Sequence, residues 1–270
     1  MLAFPFSARL IVALWALLCL SGAVSAEEVS EPGVSVEGLL VCKSGRYAIV
    51  RVTGGEAYLV RPGQSLGSYV VHAVDPHQIV LGYGSARFPI AMAGDANAAL
   101  SQGPSLRLQG ASLPHAVKLV CLVDRKEVQI APDVSGKVTL HSVFVASQAM
   151  DQVLQNTSFG WTKHRGVTIV ARQTSLKAVV ARFEQNLSSL SQAPVKKVSM
   201  DFMMADLAFV CQISAKEMKL SIEGQPPSGN VTCWVSARPV AQTLALACAL
   251  QPNPVAVSLK GTSLVFQAKP

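Results

Sequence analysis

Val36-Glu37-Gly38-Leu39-Leu40-Val41-Cys42, the turn Lys43-Ser44-Gly45, Tyr47-Ala48-Ile49-Val50-Arg51-Val52, the turn Thr53-Gly54-Gly55 and Ala57-Tyr58-Leu59-Val60 follow one another without a break. Three runs rich in β-branched and aromatic residues are separated by short glycine-containing turns, which is the chemistry of strands joined as hairpins. Arg61-Pro62-Gly63 ends the ladder, because proline removes a backbone donor and glycine accepts turn conformations. Tyr69 to Val74, the turn Asp75-Pro76-His77 and Gln78 to Leu81 make another hairpin, and Ala86 to Met92 completes the set. No stretch of helical period intervenes. Residues 36–93 therefore read as a small all-β sandwich or barrel of about six strands.

Upstream, Arg9 precedes the apolar run Leu10 to Leu20, and small residues ending in Val24-Ser25-Ala26 stand before Glu27-Glu28. This is the pattern of a secretory signal peptide over residues 1–26, from which export is expected. The run falls short of the roughly 20 apolar residues of a membrane span; an uncleaved inner-membrane anchor is the alternative. Leu18 ahead of Cys19 does not suit a lipoprotein signal. The rest of the 270-residue chain has room for one large domain or two to three small ones.

The formal net charge is +7, yet only 14% of residues are charged and 50% are hydrophobic. Arg125-Lys126 and Lys196-Lys197 are the adjacent basic pairs, and no basic run interleaved with aromatics points to nucleic acid. Cys42, Cys121, Cys211, Cys233 and Cys248 remain after the signal, without a C-x-x-C spacing for zinc or redox chemistry. They read as buried hydrophobes, or as one bridge among Cys211, Cys233 and Cys248 beside such residues.

Behind the first module the sequence repeats. Val120-Cys121 matches Val210-Cys211, Lys126-Glu127 matches Lys216-Glu217, and Gln152-Val153-Leu154 matches Gln242-Thr243-Leu244, each ninety positions on. Ser135-Gly136-Lys137-Val138-Thr139 matches Ser228-Gly229-Asn230-Val231-Thr232 at ninety-three, a change of register assigned to a three-residue insertion around Gln225-Pro226-Pro227. In the second copy Val198 to Phe202 alternates as a strand, and Asp206 precedes the helical stripe Leu207, Phe209, Val210, Ile213. Lys219 to Ile222 and Val231 to Val235 are strands, Pro239 opens a second helix, and Val255 to Leu259 with Ser263 to Phe266 forms a hairpin. The order is βαββαββ, expected to form one sheet with both helices on one face. The copies span residues 105–172 and 196–268. Between them (173–195), Leu176, Val179, Val180, Phe183, Leu187 and Leu190 share one helix face, read as a linker helix on a neighbouring module or as a surface for a partner helix. Ala93 to Gly103 is expected to be a flexible joint.

Two resemblances rest on these residues. The order "VEGLLVC … YAIVRV … EAYLVRPGQSLGSYVVHAVDPHQIVL" resembles the periplasmic homology region of type II secretion C proteins and the related domain of type IV pilus P lipoproteins. "VSMDFxxADL … SGNVT … PVxQTL" and, in the first copy, "APDVSGKVTL … AMDQVL … HRGVTIVA" resemble the short N-terminal domain of secretins and TonB-dependent transducers. The resemblances imply an all-β module followed by two α+β domains. They also imply, as partners, the N-terminal periplasmic domains of a secretin and inner-membrane platform proteins of a secretion or pilus system, with assembly into a homo-oligomer or ring left open. The C proteins keep a membrane anchor, whereas this leader reads as cleaved.

Sequence chemistry for catalysis, cofactors or metals is not found. Gly63-Gln64-Ser65-Leu66-Gly67 matches the hydrolase G-x-S-x-G pattern, but its mechanism needs a sharp strand-to-helix turn and a strand follows here. His72, Asp75 and His77 are explained by a hairpin turn without a metal. His115, His141 and His164 are isolated, and the glycosylation sequons at Asn156, Asn186 and Asn230 carry no weight in a bacterial periplasm. The expectation is a non-enzymatic protein that docks through strand edges. The first module's second and third strands carry the candidate docking residues Arg46, Tyr47, Ile49, Arg51, Tyr58, Val60 and Arg61, with the arginines steering an acidic partner. The rivals are a signalling or peptidoglycan-binding module and an esterase using Ser65.

Overall fold

The computed structural model describes residues 32–43, 45–93 and 104–268. The segment read as a signal peptide (1–26) and nearly all of the stretch expected to be a flexible joint (93–103) lie outside them. The described chain is mostly β, with four sheets and five helices.

The first seven strands are β1 (Val34–Cys42), β2 (Gly45–Val52), β3 (Ala57–Val60), β4 (Ser65–Leu66), β5 (Tyr69–Val74), β6 (Gln78–Tyr83) and β7 (Ala86–Ala91). β1, β2 and β3 pair antiparallel, and β4 to β7 form a second antiparallel sheet. Leu39, Ala48, Val50 and Val60 from the first pack with Val71, Val74, Ile79 and Leu81 from the second in one buried cluster. The sheets stay open, so the barrel alternative is not realised, and the first of them does not end at the module boundary. The outer edge of β1 pairs antiparallel with β8 (Ser105–Ser112), Gly38 opposite Leu108 and Val41 opposite Ser105. β8 in turn pairs with β10 (Lys137–Val143), giving the order β10-β8-β1-β2-β3. Gly38 lets the strands pack closely at this seam: a Cβ there would lie 2.9 Å from the Leu108 Cδ2 and 3.0 Å from the Ile49 Cδ1, and those side chains would have to shift.

The remaining elements repeat. β8, α1 (Leu113–Val123), β9 (Glu127–Ile130), β10, α2 (Ala146–Leu154), β11 (Phe159–His164) and β12 (Val167–Arg172) come first. After α3 (Leu176–Ser189) follow β13 (Lys197–Asp206), α4 (Leu207–Met218), β14 (Ser221–Glu223), β15 (Asn230–Pro239), α5 (Val240–Ala249), β16 (Val255–Lys260) and β17 (Ser263–Ala268). β8 pairs antiparallel with β10 as β13 does with β15. β12 is parallel to β9 and antiparallel to β11, as β17 is to β14 and β16.

The strands thus do not form the expected single sheet with both helices on one face. Each copy divides into a two-stranded and a three-stranded ladder, and helices contact both: α4 touches β13, β14 and β15, and α5 touches β15 and β16. The reason lies in α5, where every residue from Thr243 to Ala249 is buried. A helix apolar all round needs cover on both sides.

The backbone fixes the correspondence between copies. The Leu113 amide donates to the Gly136 carbonyl and the Leu207 amide to the Gly229 carbonyl, at 2.9 and 2.8 Å. Gly110 and Met204 both have positive φ, 61° and 52°, and their amides donate to the hydroxyls of Thr139 and Thr232. Arg125 and Lys219, again left-handed, follow the helices. Leu113 and Leu207 stand ninety-four positions apart, so the matches at ninety within the helices are out of register: Cys121 corresponds to Ala215, not to Cys211. A shift of four residues is close to one helical turn of 3.6, so the apolar stripe falls on itself. The Ser-Gly match at ninety-three holds, and the Gln225-Pro226-Pro227 loop is one residue shorter than its counterpart rather than three longer.

The copies are joined like the first module. The edge of β9 pairs antiparallel with β15, Ile130 opposite Thr232 and Val128 opposite Trp234, giving the order β11-β12-β9-β15-β13. α3 packs against both copies. Leu176, Val179, Phe183 and Asn186 are buried, and the helix packs on α5 and β16. Asn186 Nδ2 donates to the carbonyls of Ala245 (3.2 Å) and Val255 (3.0 Å), and its Oδ1 accepts from the Val257 amide.

Candidate docking surface

β2 lies inside its sheet, its backbone paired with β1 on one side and β3 on the other. It therefore cannot accept a partner strand, contrary to the sequence expectation. β3 is at the sheet edge, but the ends of that edge are engaged: the Ala57 carbonyl lies 2.9 Å from His115 Nε2, and the Arg61 amide donates to Gln64 Oε1. His115 Nδ1 lies 2.6 Å from Ser112 Oγ. With Nε2 donating to Ala57 and Nδ1 accepting from Ser112, the ring is neutral, and burial lowers its pKa.

The predicted side chains divide accordingly. Ile49 and Val60 are buried in the core. Arg46 donates to Asp75 Oδ1 (2.9 Å) and the Val74 carbonyl. Arg51 forms a fork on Glu37, at 2.5 and 3.3 Å, and that hydrogen bonding raises its pKa. Both arginines are committed within the module, which removes them from the steering role. Tyr58 is 46% exposed, Tyr47 is half-buried, and Arg61 is exposed with no ion pair among the described residues.

Tyr47, Val60 and Arg61 border a groove of about 590 Å³ that sequence reasoning missed. Its lining comes from β2, β3 and the turn after it, from α1, and from β9, β13 and β15. Lys118 on α1 is buried and ion-paired with Asp201 on β13. Glu127 on β9 is ion-paired with Arg238 and accepts from the Ser236 amide. Trp234 and Arg125 also line the space. No local pattern announces this site, because its residues come from four separated segments (47–64, 118–127, 201 and 234–236) brought together by the two sheet extensions.

A second free edge is β13, the counterpart of β8. Where β8 is covered by β1, β13 has β15 on one side only. Met204 on it and Phe209 beside it are 49% and 50% exposed, and Phe202 stacks edge-on against Phe209.

Other singled-out residues find local explanations. Ser65 sits in β4 and is followed by the strand β5, so the strand-to-helix turn of a nucleophile elbow is not formed. Asp75 is paired with Arg46, and among the described residues no three His, Cys, Asp or Glu side chains converge as for a metal. Cys121, Cys211, Cys233 and Cys248 are buried, Cys42 is half-buried, and none of the five is bridged. Burial pushes the Cys121 and Cys233 thiols up to about 12; the hydrogen bond to Cys211, with burial, raises that of Cys248.

No protein-family model, curated protein or solved structure matches this chain. Among the described residues no helix is long and apolar enough to cross a membrane.

Proposed function

We propose that this chain is a non-catalytic periplasmic adaptor, exported by its signal peptide, that binds a secretin-type outer-membrane complex in protein secretion or pilus biogenesis. In this reading residues 36–93 are a C-protein-like or P-protein-like β-module, and residues 105–172 and 196–268 are two domains of the secretin N-terminal kind. The observation that carries it is the manner of joining: β1 adds to β8 and β9 adds to β15, both antiparallel. Backbone pairing of this kind supplies affinity without new chemistry, and side chains flanking it supply selectivity. β13 repeats the situation of β8 with its edge uncovered, and a partner strand would add there as β1 adds to β8. The exposed Met204 and Phe209 would be covered in the process.

The test is capture of the epitope-tagged full chain from its native envelope after mild crosslinking, with mass spectrometry of what co-purifies. A secretin or an inner-membrane platform protein is expected among the principal partners. Peptidoglycan fragments or a TonB-linked receptor in their place would overturn the adaptor reading in favour of a wall-binding or signalling module.

A further inference from the structure

The groove between β3 and β15 has an uneven supply of hydrogen-bonding groups. Its two carboxylates are spent, Asp201 on Lys118 and Glu127 on Arg238 and the Ser236 amide. Its donors are not. Among the described residues the guanidinium groups of Arg61 and Arg125 make no hydrogen bond or ion pair, and both residues are exposed. The Trp234 indole N–H and the Gln64 amide N–H groups likewise have no protein acceptor there. Lys118 is offset by Asp201, and Glu127 by Arg238 from outside the lining, which leaves Arg61 and Arg125 as the lining charges without a counter-ion among the described residues. A volume of about 590 Å³ lies within the range of built ligand sites, roughly 300–1,000 Å³. Tyr47 and Trp234 add flat apolar surface to the lining.

We propose that this groove is a receptor for an acidic peptide segment of a partner protein. Carboxylates of that segment pair with Arg61 and Arg125, and an apolar side chain between them rests on Trp234. Two planar guanidiniums suit carboxylates because each can bind both oxygens at once. Recognition here runs through side chains, since His115 and Gln64 already occupy the ends of the β3 edge. The inference rests on the adaptor reading for its partner, though not for its chemistry.

The test uses the full mature chain and a fluorescein-labelled hexapeptide alternating Glu and Val, with a Gln–Val peptide of the same length as control. Saturable anisotropy binding of the Glu–Val peptide is expected, at least about tenfold tighter than the control. Arg61→Ala and Arg125→Ala should each weaken it about tenfold, since loss of a charge-assisted hydrogen bond of about 1.5 kcal/mol corresponds to that factor. In a Trp161→Phe background, Trp234 fluorescence should change with the same midpoint. Equal affinity for both peptides, no saturable binding, or binding untouched by the double arginine variant would overturn the proposal. The two readings fail separately. An Arg61→Ala/Arg125→Ala chain that still captures a secretin with wild-type yield overturns the groove as the partner's receptor and leaves the adaptor standing. Peptide binding without any secretin capture does the reverse.

Discussion

His115 shows how one residue ties two modules together. It sits in the first turn of α1, bridges Ser112 and the Ala57 carbonyl of β3, and is held neutral by burial. Because its folded pKa is lowered, its contribution is fully present above the ordinary histidine value of about 6.5 and is lost as pH falls through the folded value. Thermal unfolding followed from pH 7.5 to 5 should show a falling melting temperature, and His115→Phe should flatten that slope at some cost in stability at pH 7.5. An unchanged slope would remove His115 from the link. Residue patterns such as the Asp75-Pro76-His77 turn and the acidic Asp206 ahead of its helix were legible in sequence because they act locally; the structure adds that Asp206 caps the helix, accepting from the Ala208 amide. The partners of Arg46, Arg51 and Lys118 were not, since each lies far along the chain, in another turn or strand.

Elements were legible as far as their periodicity and turns went. The hairpins of residues 36–92, the order βαββαββ and the helix at 176–189 all follow from local pattern. How strands combine into sheets did not, because β8, β9 and β15 show nothing in their own sequence that tells an inner strand from an edge. The repeat register failed for a related reason: a displacement of one helical turn preserves the pattern being matched. Three expectations belong to this scale. Met204 holds a left-handed backbone where the first copy has Gly110, so Met204→Gly should stabilise by up to about 1 kcal/mol, while Thr232→Val, which strands the Met204 amide, should cost about 1 kcal/mol. Asn186→Leu leaves the groups at Ala245, Val255 and Val257 without their side-chain partner and should cost about 2–3 kcal/mol. Urea unfolding curves read all three; a neutral Asn186→Leu would mean α3 is held by apolar packing alone.

Over the whole molecule, one rule of construction recurs. Each module lends strands to the sheet of its neighbour, so the boundary between modules is a ladder of backbone hydrogen bonds rather than a hinge. The two extended sheets create the groove beside α1, and the last extension leaves β13 with an open edge. Docking of a secretin along that edge is the central proposal, and site-specific photocrosslinking tests it most directly. Benzoylphenylalanine placed at Phe209, beside β13, and separately at Lys177 on the exposed side of α3, would be irradiated in cells carrying the secretion or pilus machine. The account predicts a secretin adduct from position 209 that is absent from position 177. Adducts of equal yield from both positions, or none to a secretin from position 209, would contradict it.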